Sequence, residues 1–276
     1  MIRVMTLDTG DQPDHATNQL QQCIAPKGPA NIDILCCQSI RRSLDGNENL
    51  TDTLAQSFGL TCSCFAAHRP RQGKPDQQPK SGVSGLAIMV GGGVWMLNSG
   101  SFPVPGDQEG EEGLVQFALV RKNGASILVL NLQIAASKPA QRVQLHALFL
   151  HPLLKEQYGA VVLCTDRHTA LSAKALQAIT TRSDYILRSS LKPAQGGPSN
   201  GMMCLLTTRE RAATAVSVGS AAALQAAGSC GLPQPGLTLE FDIDRLAKDK
   251  KSRPYLPLSF SEQWLGGRER YVAFAT

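Results

Sequence analysis

The stretch that decides the fold is Gly159-Ala-Val-Val-Leu-Cys-Thr-Asp166-Arg167-His168, an apolar run followed at once by a polar turn. A run that is apolar on both faces is typical of a strand in the middle of a sheet covered on both sides. The segment after the turn, up to Thr180, has the character of a helix. We therefore predict a layered α/β fold with ionisable side chains at the carboxyl end of this strand, where sites in such folds usually lie.

The composition places the chain among globular proteins. It has 276 residues, of which 42% are hydrophobic and 18% charged, a balance that indicates a globular and not a disordered protein. The net charge of +5 permits a phosphate-bearing partner without requiring one. The first residues enter a strand directly, and no window approaches a membrane-spanning length of apolar residues. We therefore expect a soluble, cytoplasmic protein that does not associate with membranes.

The cysteines point to a reduced interior. There are eight of them, mostly in apolar runs, and none forms a CxxC pair. The zinc and thioredoxin patterns are therefore absent, and we expect buried thiols that serve as small core residues.

The remaining pattern alternates strands with helices. We expect helices over 14–24, 50–58 and 138–154, the last with Val143, Ala147, Leu150 and Leu154 on its apolar face. Two hairpins are predicted, one turning at Gly91-Gly92-Gly93 and one at Lys122-Asn123-Gly124, the second a type I′ signal. Further strands are expected at the following ranges: 2–7, 32–37, 60–66, 202–207, 213–218 and 255–260.

Two loops of opposite charge separate these elements, a basic one at 68–81 and an acidic one at 102–113. The chain shows no repeat and no long linker. We therefore predict a single domain over 1–276, in which two mixed β-sheets pack face to face and helices cover the outside.

The order of these elements resembles the endonuclease/exonuclease/phosphatase superfamily, and the resemblance extends over nearly the whole chain. It is carried by strand-end motifs that correspond to Thr-x-Asn, Asp-x-x-x-x-Gln-Glu, Gly-x-Ala-Ile-Leu, Val-x-Asn-Thr-His-Leu, Gly-Asp-Phe-Asn and Ser-Asp-His-x-Pro-Val. In this chain they read Thr6-Leu-Asp8, Asp33-Ile-Leu-Cys-Cys-Gln38-Ser39, Gly85-Leu-Ala-Ile-Met, Val129-Leu-Asn131-Leu-Gln133-Ile, Thr165-Asp166-Arg167-His168 and Tyr255-Leu-Pro257-Leu. The resemblance implies a DNase I-like, four-layer α/β/β/α sandwich.

The resemblance also implies metal-assisted phosphoester hydrolysis, with Mg or Mn as the candidate cofactor. The chain departs from the family at most of the positions concerned. Asp8 stands for the first Asn, Ser39 for the metal-binding Glu and Gln133 for the middle His. Asp166 is retained, whereas His168 replaces its Asn partner and Tyr255 falls at the final His.

The candidate site residues follow from this correspondence. Asp166, His168, Tyr255 and Gln133 are the candidate catalytic residues. Arg167, Arg41 and Ser39 are candidate binding residues, and Asp8 with Asp166 are candidate metal ligands.

Three functions remain open. In the first, the chain is catalytically impaired and keeps the cleft for nucleic acid or a phosphorylated small molecule. In the second, it is an active metal-dependent phosphoesterase with a site rebuilt around Asp8, Asp166 and His168, an O,O,N set suited to manganese, zinc or iron more than to magnesium. In the third, it is a scaffold whose loops contact other proteins. The sequence does not indicate an oligomeric state.

Overall fold

The structure is a computed structural model with eleven strands and three α-helices among the residues that it describes. The described residues are 1–9, 32–42, 49–68, 83–105, 112–135, 137–156, 158–166, 173–180, 185–191, 203–208 and 237–242. The strands are β1 (Ile2–Asp8), β2 (Ile34–Arg42), β3 (Leu60–Ala67), β4 (Val83–Gly91), β5 (Trp95–Val104), β6 (Gly113–Lys122), β7 (Ala125–Gln133), β8 (Ala160–Thr165), β9 (Tyr185–Leu191), β10 (Met203–Thr208) and β11 (Leu237–Phe241). The helices are α1 (Leu50–Phe58), α2 (Lys138–Leu150) and α3 (Ala173–Thr180), and a 3-10 helix covers Pro152–Lys155.

The strands form two mixed sheets. The first has the order β11-β1-β2-β4-β3, and the second has the order β5-β6-β7-β8-β10-β9. Each sheet contains one parallel pair, β1 with β2 and β7 with β8, and its other described pairs are antiparallel. These two parallel pairs matter for function because parallel strands bring their carboxyl ends to the same edge.

Alternation of side chains along the strands explains the layers. One set of buried residues, including Val4, Ile34 and Val162, fills the space between the sheets. A second set packs the first sheet against Leu54 of α1, and a third packs the second sheet against Leu145 of α2. The result is the predicted α/β/β/α sandwich.

The strand from Ala160 to Thr165 lies where the sequence predicts it. β8 lies between β7 and β10, inside the second sheet. Ala160, Val162 and Cys164 face the space between the sheets, and Val161 and Leu163 face the helices. This strand is therefore apolar on both faces because both faces are covered.

Two local predictions are confirmed at the level of single residues. α1 spans the predicted range and ends at Gly59, whose φ of 66° is the left-handed conformation that closes a helix. The β6–β7 hairpin turns at Asn123 and Gly124, with φ values of 49° and 79°. Two successive positive φ angles define the type I′ turn that this dipeptide predicts.

The predicted hairpin at Gly91-Gly92-Gly93 is wrong. The chain does turn there, but β4 is paired on both sides by β2 and β3, so it has no free edge for β5. β5 instead crosses to the other sheet and pairs with β6. The short glycine connection therefore links the two sheets, because β4 is a central strand with both edges paired.

The helix predicted over 138–154 is shorter and presents another face. α2 ends at Leu150, because Pro152 favours an extended conformation in the residue before it, and His151 has φ −63° and ψ 137°. Val143 and Leu150, predicted to be buried, are 40% and 55% exposed. The buried face carries two glutamines, Gln141 and Gln144, whose burial an apolar periodicity does not predict.

Several expectations fall outside the described residues. The helix predicted at 14–24, the strands predicted at 213–218 and 255–260, and most of the two charged loops are among them. Conversely, β11 was not predicted, although it pairs with β1 along five residues. Among the described helices, none combines the length and apolar character needed to cross a bilayer.

Six cysteines lie in the described part of the chain, all as free thiols. Four of them are buried, as expected, whereas Cys62 is exposed on β3. A hydrogen bond with Cys164, together with burial, raises the pKa of Cys36 well above its usual value. Cys36 and Cys164 come from opposite sheets, so these thiols act as packing groups between the layers.

Candidate active site

The two parallel strand pairs bring the candidate residues to one end of the sandwich. Asp8 lies beside Gln38 in the β1–β2 register. In the β7–β8 register Leu132 lies beside Thr165, so Gln133 and Asp166 follow side by side. A hydrogen bond of 2.6 Å from Gln38 Nε2 to Asn131 Oδ1 joins the two pairs across the gap, which shows that both end at the same level.

Strand alternation tells which faces these side chains occupy. Ile2 and Val4 face the gap between the sheets, and so, with a period of two, does Asp8. Ile127 and Val129 do the same on β7, which places Asn131 and Gln133 on that face. On β8 the rule extends from Cys164 to Asp166. Asp8 therefore lies on one side of the gap between the sheets, and Gln133 and Asp166 lie on the other. We call this end of the gap the strand-end cleft, and its two sides the walls.

A buried polar network forms the floor of this cleft. Asn131, which is fully buried, donates to the carbonyl oxygens of Cys37 and Ala87, at 2.9 Å and 3.1 Å, and to Gln116 Oε1 at 3.4 Å. Gln38 Nε2 also donates to Thr6 Oγ1 at 2.8 Å. The network crosses from one sheet to the other, so it fixes the spacing of the two walls directly beneath the candidate residues.

Ser39 lies beside this network in an unusual conformation. The β2–β4 register shifts between Cys37 and Ile40, which marks a β-bulge, and Ser39 has a φ of 56°. The left-handed region is costly for a residue with a Cβ atom, and such strain is common at functional sites. Bulges re-aim the backbone at the ends of strands, and this one turns β2 at the cleft.

Asp8 brings a carboxyl group to the first wall. Burial is the main reason why the pKa of Cys37 is raised strongly, and the carboxylate of Asp8 is the second. Asp166 is almost completely buried, at 1% exposure, and belongs to the opposite wall. Strand alternation thus places one carboxyl group on each of the two facing sheets at this end of the sandwich.

The chain was compared with known proteins. No protein-family profile and no curated protein match the sequence. Solved structures do match the fold. An endonuclease/exonuclease/phosphatase family protein from Leptotrichia buccalis is 10% identical with a TM-score of 0.60, covering 88% of this chain and 100% of that chain. The human Nocturnin catalytic domain is 15% identical with a TM-score of 0.58, covering 87% of this chain and 93% of its own.

A third match is a mannosyl-6-phosphatase from Bacteroides thetaiotaomicron, 11% identical with a TM-score of 0.54, covering 88% of this chain and 100% of that chain. The chain has the endonuclease/exonuclease/phosphatase fold. This is the DNase I-like sandwich that the strand-end motifs predict. At these identities the match establishes the fold, and the chemistry must be argued from the side chains.

Within this DNase I-like fold, the structure brings half of the candidate residues together. Asp8, Ser39, Gln133 and Asp166 all lie at the carboxyl ends of the two parallel strand pairs. Arg41 belongs to β2, but its side chain is not described. The remaining three candidates, Arg167, His168 and Tyr255, lie outside the described residues.

Two residues of the cleft floor, Gln38 and Asn131, did not enter the list of candidates. Both are polar residues embedded in apolar strands, Leu-Cys-Cys-Gln and Val-Leu-Asn-Leu. A buried polar side chain needs a partner. That requirement is the signal that could have identified them from the sequence.

The donor set can be compared with the divalent cation that this fold family implies. Magnesium and manganese take oxygen ligands, and the two walls offer the carboxylates of Asp8 and Asp166. Gln133 Oε1 adds a buried oxygen without a hydrogen-bond partner among the described residues. Ser39 offers only a neutral hydroxyl where the family has a glutamate. Among the residues that the structure describes, no cluster of three His, Cys, Asp or Glu side chains suited to a metal ion is present.

Proposed function

We propose that this protein is a catalytically impaired member of its fold class that binds a phosphate-bearing ligand, nucleic acid or a phosphorylated small molecule, in the strand-end cleft. The observation that carries the proposal is the placement of Asp8, Gln133 and Asp166 on facing walls above the buried floor. Two neighbours support the ligand class, since the Nocturnin catalytic domain holds a sulfate anion and another neighbour is a mannosyl-6-phosphatase.

The impairment follows from two replacements. Ser39 cannot supply the charge of the family's glutamate, so a cation here is held by fewer carboxylates. Gln133 cannot exchange a proton near neutral pH as histidine does. Loss of an acid/base group typically costs about 10²–10⁴ in rate, and weaker metal binding adds to this. Together these losses bring phosphodiester hydrolysis close to the uncatalysed rate.

The two carboxylates of the cleft determine how an anion can bind. Asp8 and Asp166 carry no positive charge with which to attract a phosphate oxygen. A cation held by these two residues would supply charge neutralisation at the phosphate oxygens. Arg41, Arg167 and His168 are the proposed basic contacts, and Tyr255 is a proposed hydroxyl contact. Gln133 contributes a neutral carboxamide that can donate to phosphate or face the cation.

The proposal is tested by measuring binding and turnover on the same samples. Filter binding of a short single-stranded oligonucleotide and calorimetry with a phosphosugar, both at low salt with Mg or Mn, should detect binding to the wild type. Asp166→Ala should weaken binding. Asp52→Ala, which removes an exposed carboxylate from α1, should not. Absence of binding by every phosphate-bearing probe would refute the proposal.

An active enzyme with a rebuilt site is the second candidate. The observation in its favour is the carboxylate of Asp8, which takes the place of the family's Asn on the wall that faces Asp166. Hydrolysis of bis-p-nitrophenyl phosphate with Mg, Mn, Co and Zn would reveal such a site. In that case Asp166→Ala should abolish turnover and Asp52→Ala should retain it. Equal rates for wild type and Asp166→Ala would exclude the rebuilt site.

A further inference from the structure

Two glutamine side chains of α2 hold the main chain just beyond the end of β7. The Ala135 N–H donates to Gln144 Oε1 at 2.8 Å, and Gln141 Nε2 donates to the Ala135 carbonyl oxygen at 2.8 Å. Both glutamines are 0% exposed, although glutamine is among the residues that lose most rotamer freedom on burial. Their place on the buried face of the helix is explained by these two bonds, which an apolar residue cannot make.

We call Gln141 and Gln144, with their hydrogen bonds to the main chain of Ala135, the clamp. The surrounding backbone leaves space for it. β7 ends at Gln133, and the two glutamines continue the hydrogen bonding that the sheet supplied up to that point. A Cβ atom at Gly113 would lie 3.2 Å from Gln144 Cδ and 3.1 Å from the Gln133 carbonyl oxygen. The glycine therefore leaves the space that Gln144 needs to reach the strand end.

The clamp acts two residues from a side chain of the cleft. Ile134 is buried on the helix side of the second sheet, and this directs Gln133 to the opposite side, above Asn131. Gln133 Oε1 is buried with no partner among the described residues. Its position is therefore set through its main chain, which is held by the β6 register on one side and by the clamp on the other.

We propose that Gln141 and Gln144 are positioning residues that hold Gln133 in place for contact with a phosphate-bearing ligand or its cation. The ligand part of this inference rests on the proposed function, whereas the clamp can be tested without any ligand. The two parts therefore call for separate measurements.

The first measurement follows the side-chain amide of Gln133 and the backbone amide of Ala135 by NMR in the free protein. Gln144→Met should shift the Gln133 signal and speed hydrogen exchange at Ala135, and Gln141→Met should have the same effect. Gln144→Glu should leave the Gln133 signal closer to its wild-type position than Gln144→Met does, because a carboxyl oxygen still accepts from Ala135. Val143→Met, at an exposed neighbouring position, is the matched control and should change neither signal. An unmoved Gln133 signal in Gln144→Met would overturn the inference.

The second measurement is a double-mutant cycle on binding of a fluorescein-labelled oligothymidylate with MgCl₂. Gln144→Met should weaken binding about tenfold, the effect of losing roughly one buried hydrogen bond to a site. In a Gln133→Ala background it should cause no further loss. Equal losses in both backgrounds would show a general structural role and overturn the positioning role. Failure of the wild type to bind would instead refute the proposed function. The Gln133 amide signal would still show whether the clamp positions Gln133.

Discussion

The isosteric change Asn131→Asp tests the buried floor of the cleft most severely. It replaces the Nδ2 donor with an oxygen that faces three acceptors, the carbonyl oxygens of Cys37 and Ala87 and the Oε1 of Gln116. It keeps the volume of the side chain, so no cavity contributes to the result. The acceptor side, toward Gln38 Nε2, is preserved. The substitution therefore isolates the loss of the donor and the burial of a charge.

The expected cost can be worked from these contacts. An uncompensated charge at a fully buried position costs about 3–5 kcal/mol, and each unpaired polar group costs about 1–3 kcal/mol. We expect a loss of about 3–5 kcal/mol at neutral pH, a large share of the stability of a typical domain. Burial raises the pKa of the new carboxyl group. At a pH between its ordinary pKa and this raised value, the carboxyl is protonated in the folded variant and ionised in the unfolded chain. The deficit relative to wild type should therefore shrink as the pH falls through that raised pKa.

Urea unfolding of wild type, Asn131→Asp and the control Asn98→Asp, at neutral and mildly acidic pH, measures both effects. Asn98 is only partly buried on β5, and its change should cost less than about 0.5 kcal/mol. Asn131→Asp with wild-type stability at neutral pH would refute the view that this network joins the two sheets. A deficit that grew on acidification would contradict the burial of a charged carboxylate at position 131.

Three further predictions concern other parts of the fold. Lys122 Nζ lies 2.6 Å from Asp33 Oδ1, and Asp33 Oδ2 accepts from the Arg3 N–H at 2.8 Å. Asp33→Ala should therefore lower the free energy of unfolding by about 2–3 kcal/mol, more than Lys122→Met does. A double-mutant cycle measured by urea unfolding should show coupling between the two positions, and additive losses would contradict a direct ion pair. Burial lowers the pKa of His151, stacked on Phe102, to about 4. In the unfolded chain this histidine binds a proton as the pH falls below about 6.5, whereas in the folded protein it stays neutral. Wild type should therefore lose more free energy of unfolding than His151→Gln between pH 6.5 and about 4, as measured by urea unfolding. Equal losses would argue against the effect of burial. At the left-handed position 39, Ser39→Val should cost about 1–3 kcal/mol and Ser39→Gly much less, and the reverse order in thermal unfolding would contradict the φ of 56°.

Local chemistry made much of the fold predictable. The apolar run of β8, the Gly59 helix end and the Asn123-Gly124 turn each have a physical cause contained within a few residues. The order of the strand-end motifs predicted the layer architecture through the family resemblance. It also placed Asp8, Ser39, Gln133 and Asp166 at one end of the sandwich, because parallel strands end together.

The errors arose where a distant partner decides the structure. β5 joins the second sheet because β4 already has two neighbours, and no local pattern contains that fact. The buried face of α2 follows Gln141 and Gln144, whose burial depends on Ala135 at the end of another strand. Asn131 is explained only by atoms of the facing sheet. Pro152, by contrast, was a local signal for the end of α2, and the prediction overlooked it.

The most direct test of the account is a map of amide chemical shifts during titration with a short single-stranded oligonucleotide in the presence of MgCl₂. We expect the largest shifts to cluster at the strand ends, at Asp8, Gln133 and Asp166, and the oligonucleotide to remain uncleaved after prolonged incubation. We also expect Asp166→Ala to reduce these shifts and Asp52→Ala to preserve them. Saturating shifts confined to other surfaces, such as the exposed edge strand β5, would show that this cleft is not the ligand site.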